Sequence, residues 1–320
     1  MDGAAPGDAV HRGLAVGGVL GFLVPSLAGP AEAAIHPVLV LLLYATFLGI
    51  PFGRLGRAFG DRRFLVTVLA VNFALVPTVA WLVSRIVAHD QVLLVGVLFV
   101  LLTPCIDYVI VFTGLAGGDA GRLLAAAPLL MLAQMLVLPL QLWMFVGVEF
   151  ARSVEFAPFV DAFVFIIALP LAAAALTQIA ASRTVAGRRI EQVVMAAMVP
   201  LMVATLAVVV ASQIAGVSSR LGSLLLTVPV YVLFTVVMVP IGTAAGRLAR
   251  LDVPARRAIV FSGTTRNSLV ILPLVLALPD AYALAPLVVV TQTLVELIVM
   301  VALVRLVPRL VPDTTSLREA

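Results

Sequence analysis

Three ionisable residues stand inside greasy stretches of this chain: Asp107, Arg266 and Glu296. Ionised groups are expensive in hydrocarbon, and they occur there mainly where they pair with one another or line a pathway. Each has polar company. Asp107 follows Thr103-Pro104-Cys105-Ile106 and precedes Tyr108. Arg266 stands in Gly263-Thr264-Thr265-Arg266-Asn267-Ser268. Glu296 follows Gln292 by four residues, so the two share a helical face. These types suit the binding and release of ligands and protons. A carboxylate held between apolar burial and a nearby cation is poised to cycle a proton. A guanidinium in mid-span needs a carboxylate or an anionic ligand, and Asp107 is its expected partner. Thr264, Thr265, Asn267 and Ser268 add neutral donors and acceptors. Tyr108 either donates a hydrogen bond there or packs. Cys105 is either a small buried hydrophobe or a soft ligand for a thiophilic metalloid. One thiol would bind and let go where three would hold. Asn72 and Gln134 either join this set or glue helices together.

The elements that must carry these residues are membrane helices. Of 320 residues, 63% are hydrophobic and 11% charged. A transmembrane helix takes about 20 apolar residues, and such runs recur from residue 13 to residue 308. Ten spans fit, near 13–30, 35–53, 64–87, 91–115, 123–147, 157–180, 190–214, 222–246, 257–279 and 284–308. The run after Arg12 reads as the first span rather than a leader, since Asp2 and Asp8 dilute its basic flank.

The chain carries a net charge of +4, and all 20 basic residues are Arg. They cluster in short turns, which is a topology signal and not a nucleic-acid footprint. With the 54–63 turn inside, the turns around Arg122, Arg183, Arg247, Arg256 and Arg257 and both chain ends also fall inside. Only Arg85, Arg152 and Arg220 fall outside. The expectation is a multi-pass protein of the plasma (inner) membrane with both termini cytoplasmic.

Ten spans divide near residue 150 into a first repeat, 1–150, and a second, 151–320, of inverted topology. Inverted repeats with broken helices are a common transporter plan, with the site at the midplane. The fourth span breaks at Thr103-Pro104-Cys105 and the ninth at Gly263–Ser268. Proline removes a backbone donor and glycine tolerates unusual dihedrals, and freed backbone groups in a membrane must find partners. The expected fold is therefore all-α, with interrupted helices 4 and 9 crossing near the midplane. Gly17-x-x-x-Gly21 and Gly242-x-x-x-Gly246 match a helix-packing pattern. A phosphate-binding loop, HExxH and GxSxG are lacking, so the chain reads as no enzyme and as needing no cofactor. With no cysteine or histidine cluster, no metal site is expected.

Thr103-Pro104-Cys105 and Phe261-Ser262-Gly263-Thr264-Thr265-Arg266-Asn267-Ser268 resemble the bile acid:sodium symporter superfamily over about residues 13–308. Within it the chain looks most similar to the arsenical-resistance permeases that export arsenite. That resemblance implies ten spans in two inverted five-helix repeats. It also implies an important cysteine in span four, matched by Cys105, and a carboxylate in span ten, matched by Glu296. Asn72 matches an asparagine of the third span in the exporters. The implied substrate is a metalloid hydroxide moved against protons. An organic anion, with or without sodium coupling, is the alternative. Two departures stand out. The exporters usually follow the cysteine with small polar residues, where this chain has Ile106-Asp107-Tyr108. Sodium-coupled relatives place cation-holding residues near the ninth-span break, where this chain has Arg266. A fixed positive charge there would repel sodium, which favours the proton as coupling ion.

Overall fold

The computed structural model describes residues 28–49, 60–106, 108–147, 163–217 and 221–312. Among them every regular element is helical. In order the longer helices are α1 (Ala28–Leu48), α2 (Arg62–Val87), α3 (Gln91–Leu101), α4 (Tyr108–Leu115), α5 (Ala120–Val146) and α6 (Leu169–Arg183). They continue with α7 (Val185–Val217), α8 (Thr227–Leu248), α9 (Val253–Thr264), α10 (Ser268–Leu276) and α11 (Ala285–Leu310). Among the described residues, four stretches are long and apolar enough to cross a bilayer: Arg62–Val87, Ala120–Val146, Gly222–Leu248 and Asp280–Leu310.

The expected turn at 31–34 is replaced by helix, because α1 runs unbroken from Ala28 to Leu48. Its Ala-Glu-Ala-Ala stretch has high helix propensity, and Pro30 sits in the first turn, where a missing N–H costs little. The first span, 13–30, and Gly17-x-x-x-Gly21 lie mostly or wholly outside the described residues.

The chain forms two compact units, each drawing segments from both sides of residue 150. The first contains α1, α6, α7, nearly all of α10 and the start of α11. Here α1 packs on α6 and α7. Tyr44 Oη lies 2.8 Å from Thr177 Oγ1, and Gln178 Nε2 donates to the Leu48 carbonyl at 2.9 Å. Gly49 meets Met195, where an added Cβ would lie 3.3 Å from the methionine Cε.

The second unit contains α2 to α5, α8, α9 and α11 from Thr291 onward. Its tightest seam joins α8 to α9 across the Gly242-x-x-x-Gly246 stripe. A Cβ at Gly242 would stand 3.1 Å from Val260 Cα, and one at Gly246 would stand 3.0 Å from Arg256 Cγ. Small residues let the two backbones approach. On α9, Gly263 opens a third close approach, with Val71 Cγ1 3.0 Å from where its Cβ would be.

Arg122 ties one end of this unit. Its Nε lies 3.3 Å from Asp61 and 3.1 Å from Asp119, and its Nη1 reaches Asp252. Asp61 and Asp119 also cap the N-termini of α2 and α5, accepting from the N–H groups of Phe64 and Arg122. Arg257, read from sequence as a turn residue that sets topology, is instead buried. Its Nε donates to the Val311 carbonyl at 3.1 Å and its Nη1 to Gly117 at 3.2 Å. Gly117 has φ +65, and a Cβ there would meet Arg257 Nη1 at 2.8 Å. Only glycine fits both the dihedral and the approach.

Candidate functional site

Two helices break inside their apolar runs, at the segments that the sequence marks with proline, glycine and polar residues. α3 ends at Leu101 and the helix resumes at Tyr108, while α9 ends at Thr264 and the helix resumes at Ser268. The two unwound segments lie against each other as an antiparallel bridge between Pro104 and Arg266. Asn267 N–H donates to the Thr103 carbonyl at 2.8 Å, and Cys105 N–H donates to the Thr265 carbonyl at 3.3 Å. Each break thus answers backbone groups that the other leaves without a helical partner. Hydroxyls next to the breaks turn back onto their own helices. Thr103 donates to the Phe99 carbonyl at 2.8 Å, Thr264 to Val260 at 2.9 Å and Thr265 to Phe261 at 2.8 Å.

Arg266 is fully buried beside this bridge. Its Nη2 donates to Asn72 Oδ1 at 2.9 Å and to the Ser262 carbonyl, and its Nη1 donates to the Leu101 carbonyl at 3.4 Å. The guanidinium carbon stands 5.7 Å from the centre of the Phe234 ring, within cation–π range. Asn72 is held in turn by donating to Ser262 Oγ at 2.8 Å and to the Val68 carbonyl at 2.9 Å.

A π turn at Val71–Leu75 positions Asn72. The buried series Phe64, Val68, Val71 would place Leu75 inside in a regular helix, yet Leu75 is exposed and Val76 is buried. The extra residue re-phases the helix, as π turns at functional sites do. Pro77 follows the turn and has no N–H to give the carbonyl four residues back.

Glu296, 5% exposed, approaches the bridge from α11. Its Oε2 accepts from the Arg266 backbone N–H at 2.7 Å and from Gln292 Nε2. The expected pairing of Gln292 with Glu296 along one helix face is present. Gln292 Oε1 is buried with no hydrogen-bond donor among the described residues. About one turn to either side of Glu296, Thr293 donates to Ser268 Oγ at 2.6 Å, and Met300 Sδ lies 3.4 Å from Thr265 Oγ1.

The structure therefore brings Asn72, Cys105, Thr265, Arg266, Asn267, Ser268 and Glu296 to one crossover. Thr264 lies at its edge on α9. Asp107 lies outside the described residues, as does the Tyr108 side chain, although Tyr108 begins α4. Gln134 is buried on α5, with its Oε1 unpartnered among the described residues. Ser262, Phe234 and Thr293 were not singled out by sequence reasoning. For Ser262 the signal was available, because it stands four residues before Arg266 on the same helix.

Comparison with known proteins adds the family. Residues 36–220, more than half of the chain, match the model of the sodium bile acid symporter family. The chain belongs to that family. Members of the sodium bile acid symporter family are transporters, so this symporter-family chain is a multi-pass membrane protein that handles small molecules. The matched stretch includes Asn72 and the first break at Thr103–Ile106, and it ends before α8. No curated protein matches the chain.

Proposed function

We propose that this chain is a secondary active transporter that exports arsenite or antimonite against inward proton flow. The observation that carries this reading is the antiparallel bridge between the broken helices. It holds the single thiol of the chain, Cys105, on the same pair of segments that carries Arg266, whose N–H bonds Glu296. A trivalent metalloid hydroxide bonds well to sulfur, and one thiolate ligand permits release. Glu296 carries the coupling proton, and Gln292 holds its carboxylate in place. Arg266 is a fixed charge that excludes sodium from the crossover and braces Asn72. Cys105 and Arg266 are fully buried in this conformation, so substrate entry requires a movement that opens the crossover.

The supporting plan is the one read from sequence. Ten spans form two inverted repeats, 1–150 and 151–320, with the crossover at the midplane and both termini cytoplasmic in the plasma membrane. The test is uptake of arsenite and antimonite by everted vesicles under an imposed proton gradient. Saturable, gradient-dependent uptake is expected, and uptake no greater than in vesicles lacking the protein would end the proposal.

A second reading follows from Arg266. A buried guanidinium held by Asn72 and the Ser262 carbonyl, in an unwound segment that also carries Asn267 and Ser268, also suits a small organic anion such as a carboxylate. Arg266→Lys would then keep the charge and lose much of the affinity. A thermal-shift screen of arsenite against a carboxylate panel separates the two, since a bound ligand raises apparent stability with saturation.

A further inference from the structure

A groove of about 850 Å³ runs between α8 and α11, entirely within the second unit. On α8 its wall repeats at helical spacing: Val232, Val236, Val239, Ala244 and Leu248. On α11 it runs from Val299 to Leu310. Two hydroxyls reach it, and both are already committed. Thr235 donates to the Tyr231 carbonyl at 3.2 Å and Thr243 to Val239 at 2.8 Å. The wall is therefore hydrocarbon in character along its length.

One charge interrupts it. Arg247 lines the groove at the end where α8 and α11 both finish, marked by Leu248 and Leu310. Arg247 is exposed, and it makes no salt bridge with a described carboxylate. It sits in the last turn of α8, where the helix dipole favours a cation. Arg309 occupies the last turn of α11 at the same end.

We propose that this groove is a binding site for an anionic phospholipid. One acyl chain lies along the α8/α11 wall and the phosphate meets Arg247. Charge and shape select the occupant. A long apolar trough closed by a single cation is complementary to an amphiphile with one apolar tail and an anionic head. The volume falls within the range of about 300–1,000 Å³ usual for small-molecule sites. The wall spans 11 residue steps on α11 and 16 on α8, about 16 and 24 Å at ~1.5 Å each, within a roughly 30 Å hydrocarbon core. The trough is long enough to take an acyl chain of one leaflet. Basic pockets between transmembrane helices on the cytoplasmic side are known to hold anionic head groups, and the orientation proposed above places this end there. The site does not share a residue with the crossover, so its test is independent of what the protein transports.

The experiment is native mass spectrometry and thermal shift of the purified full chain in detergent. It is titrated with dioleoyl phosphatidylglycerol or dioleoyl phosphatidylcholine, and separately with inorganic phosphate. Wild type should retain one phosphatidylglycerol with a preference of about fivefold over phosphatidylcholine, the effect of one basic residue near an anionic head group. Arg247→Gln should erase the preference while phosphatidylcholine still binds. Arg247→Lys should keep it. Ala244→Trp, which fills the trough at an exposed position, should abolish retention of both lipids. Both positions are on the surface, so the gel-filtration profile should be unchanged. Equal retention of both lipids by wild type, a preference that survives Arg247→Gln, or a lipid that survives Ala244→Trp would overturn the proposal. So would competition by inorganic phosphate, which would reduce the site to a bare cation. Conversion of a dimer to a monomer by Ala244→Trp would give the groove to a second copy of the chain and overturn it equally.

Discussion

Asn72→Ala should destabilise the second unit through the network at the crossover. Asn72 Oδ1 accepts from Arg266 Nη2 at 2.9 Å, and its amide donates to Ser262 Oγ at 2.8 Å. Both Asn72 and Arg266 are fully buried, so water does not replace the lost acceptor without rearrangement. A hydrogen bond to a charged group is worth about 1.5–3 kcal/mol, and leaving the partner short costs its desolvation. The neutral bond to Ser262 adds about 1 kcal/mol, giving a loss of about 2–4 kcal/mol. At roughly 2 °C per kcal/mol for a domain of this size, the apparent Tm in detergent should fall by about 4–8 °C. Ser262→Ala removes only the neutral bond and should cost a fraction of that. The double variant Asn72→Ala/Arg266→Gln isolates the pair. Its loss should fall short of the sum of the two single losses by about 1–3 kcal/mol, as expected for neighbours in one network. A Tm for Asn72→Ala within 1 °C or so of wild type, or strict additivity with Arg266→Gln, would refute the claim that Asn72 anchors the guanidinium.

Other outcomes follow from the same geometry. Glu296→Gln keeps an acceptor for the Arg266 N–H, so it should fold normally, as judged by gel filtration, and lose proton-driven flux. Cys105→Ser should leave Tm nearly unchanged and abolish metalloid transport in vesicles. Gly242→Val should lower Tm through overpacking against Val260, at a cost of about 1–3 kcal/mol, while the exposed Gly222→Val should be much milder. Arg122→Ala should cost about 1 kcal/mol or less, since its side chain is 34% exposed and such pairs are screened. The difference from wild type should shrink between about 0.1 and 1 M salt, read by thermal unfolding.

The breaks were legible in the sequence because proline, glycine and polar residues are costly in mid-span, and the bridge between Pro104 and Arg266 lies within the two segments they mark. The α8 glycine stripe was legible for a similar reason, since its spacing alone says that something comes close. Other features depend on tertiary contacts. Nothing in Val71-Asn72-Phe73-Ala74-Leu75 announces a π turn, and Pro77 signals only that the regular ladder is disturbed. Arg257 reads as one more basic turn residue until Gly117 and Val311 are seen to surround it. Arg122 reads as a topology marker, yet Asp61, Asp119 and Asp252 converge on it from separate turns. The partner of Glu296 could not be foreseen either. A carboxylate and an arginine suggest contact between their side chains, and Glu296 also accepts from the backbone N–H of Arg266. That bond arises because the helix is broken there and the N–H is released.

The central claim is that the crossover couples metalloid movement to a proton. Purified protein in liposomes loaded with a pH-sensitive dye tests it in one measurement, with arsenite added outside at zero initial gradient. Proton counterflow that begins on arsenite addition, saturates with its concentration and is absent in Glu296→Gln is the predicted result. Arsenite entry without proton movement, or movement that requires a sodium gradient, would contradict the account.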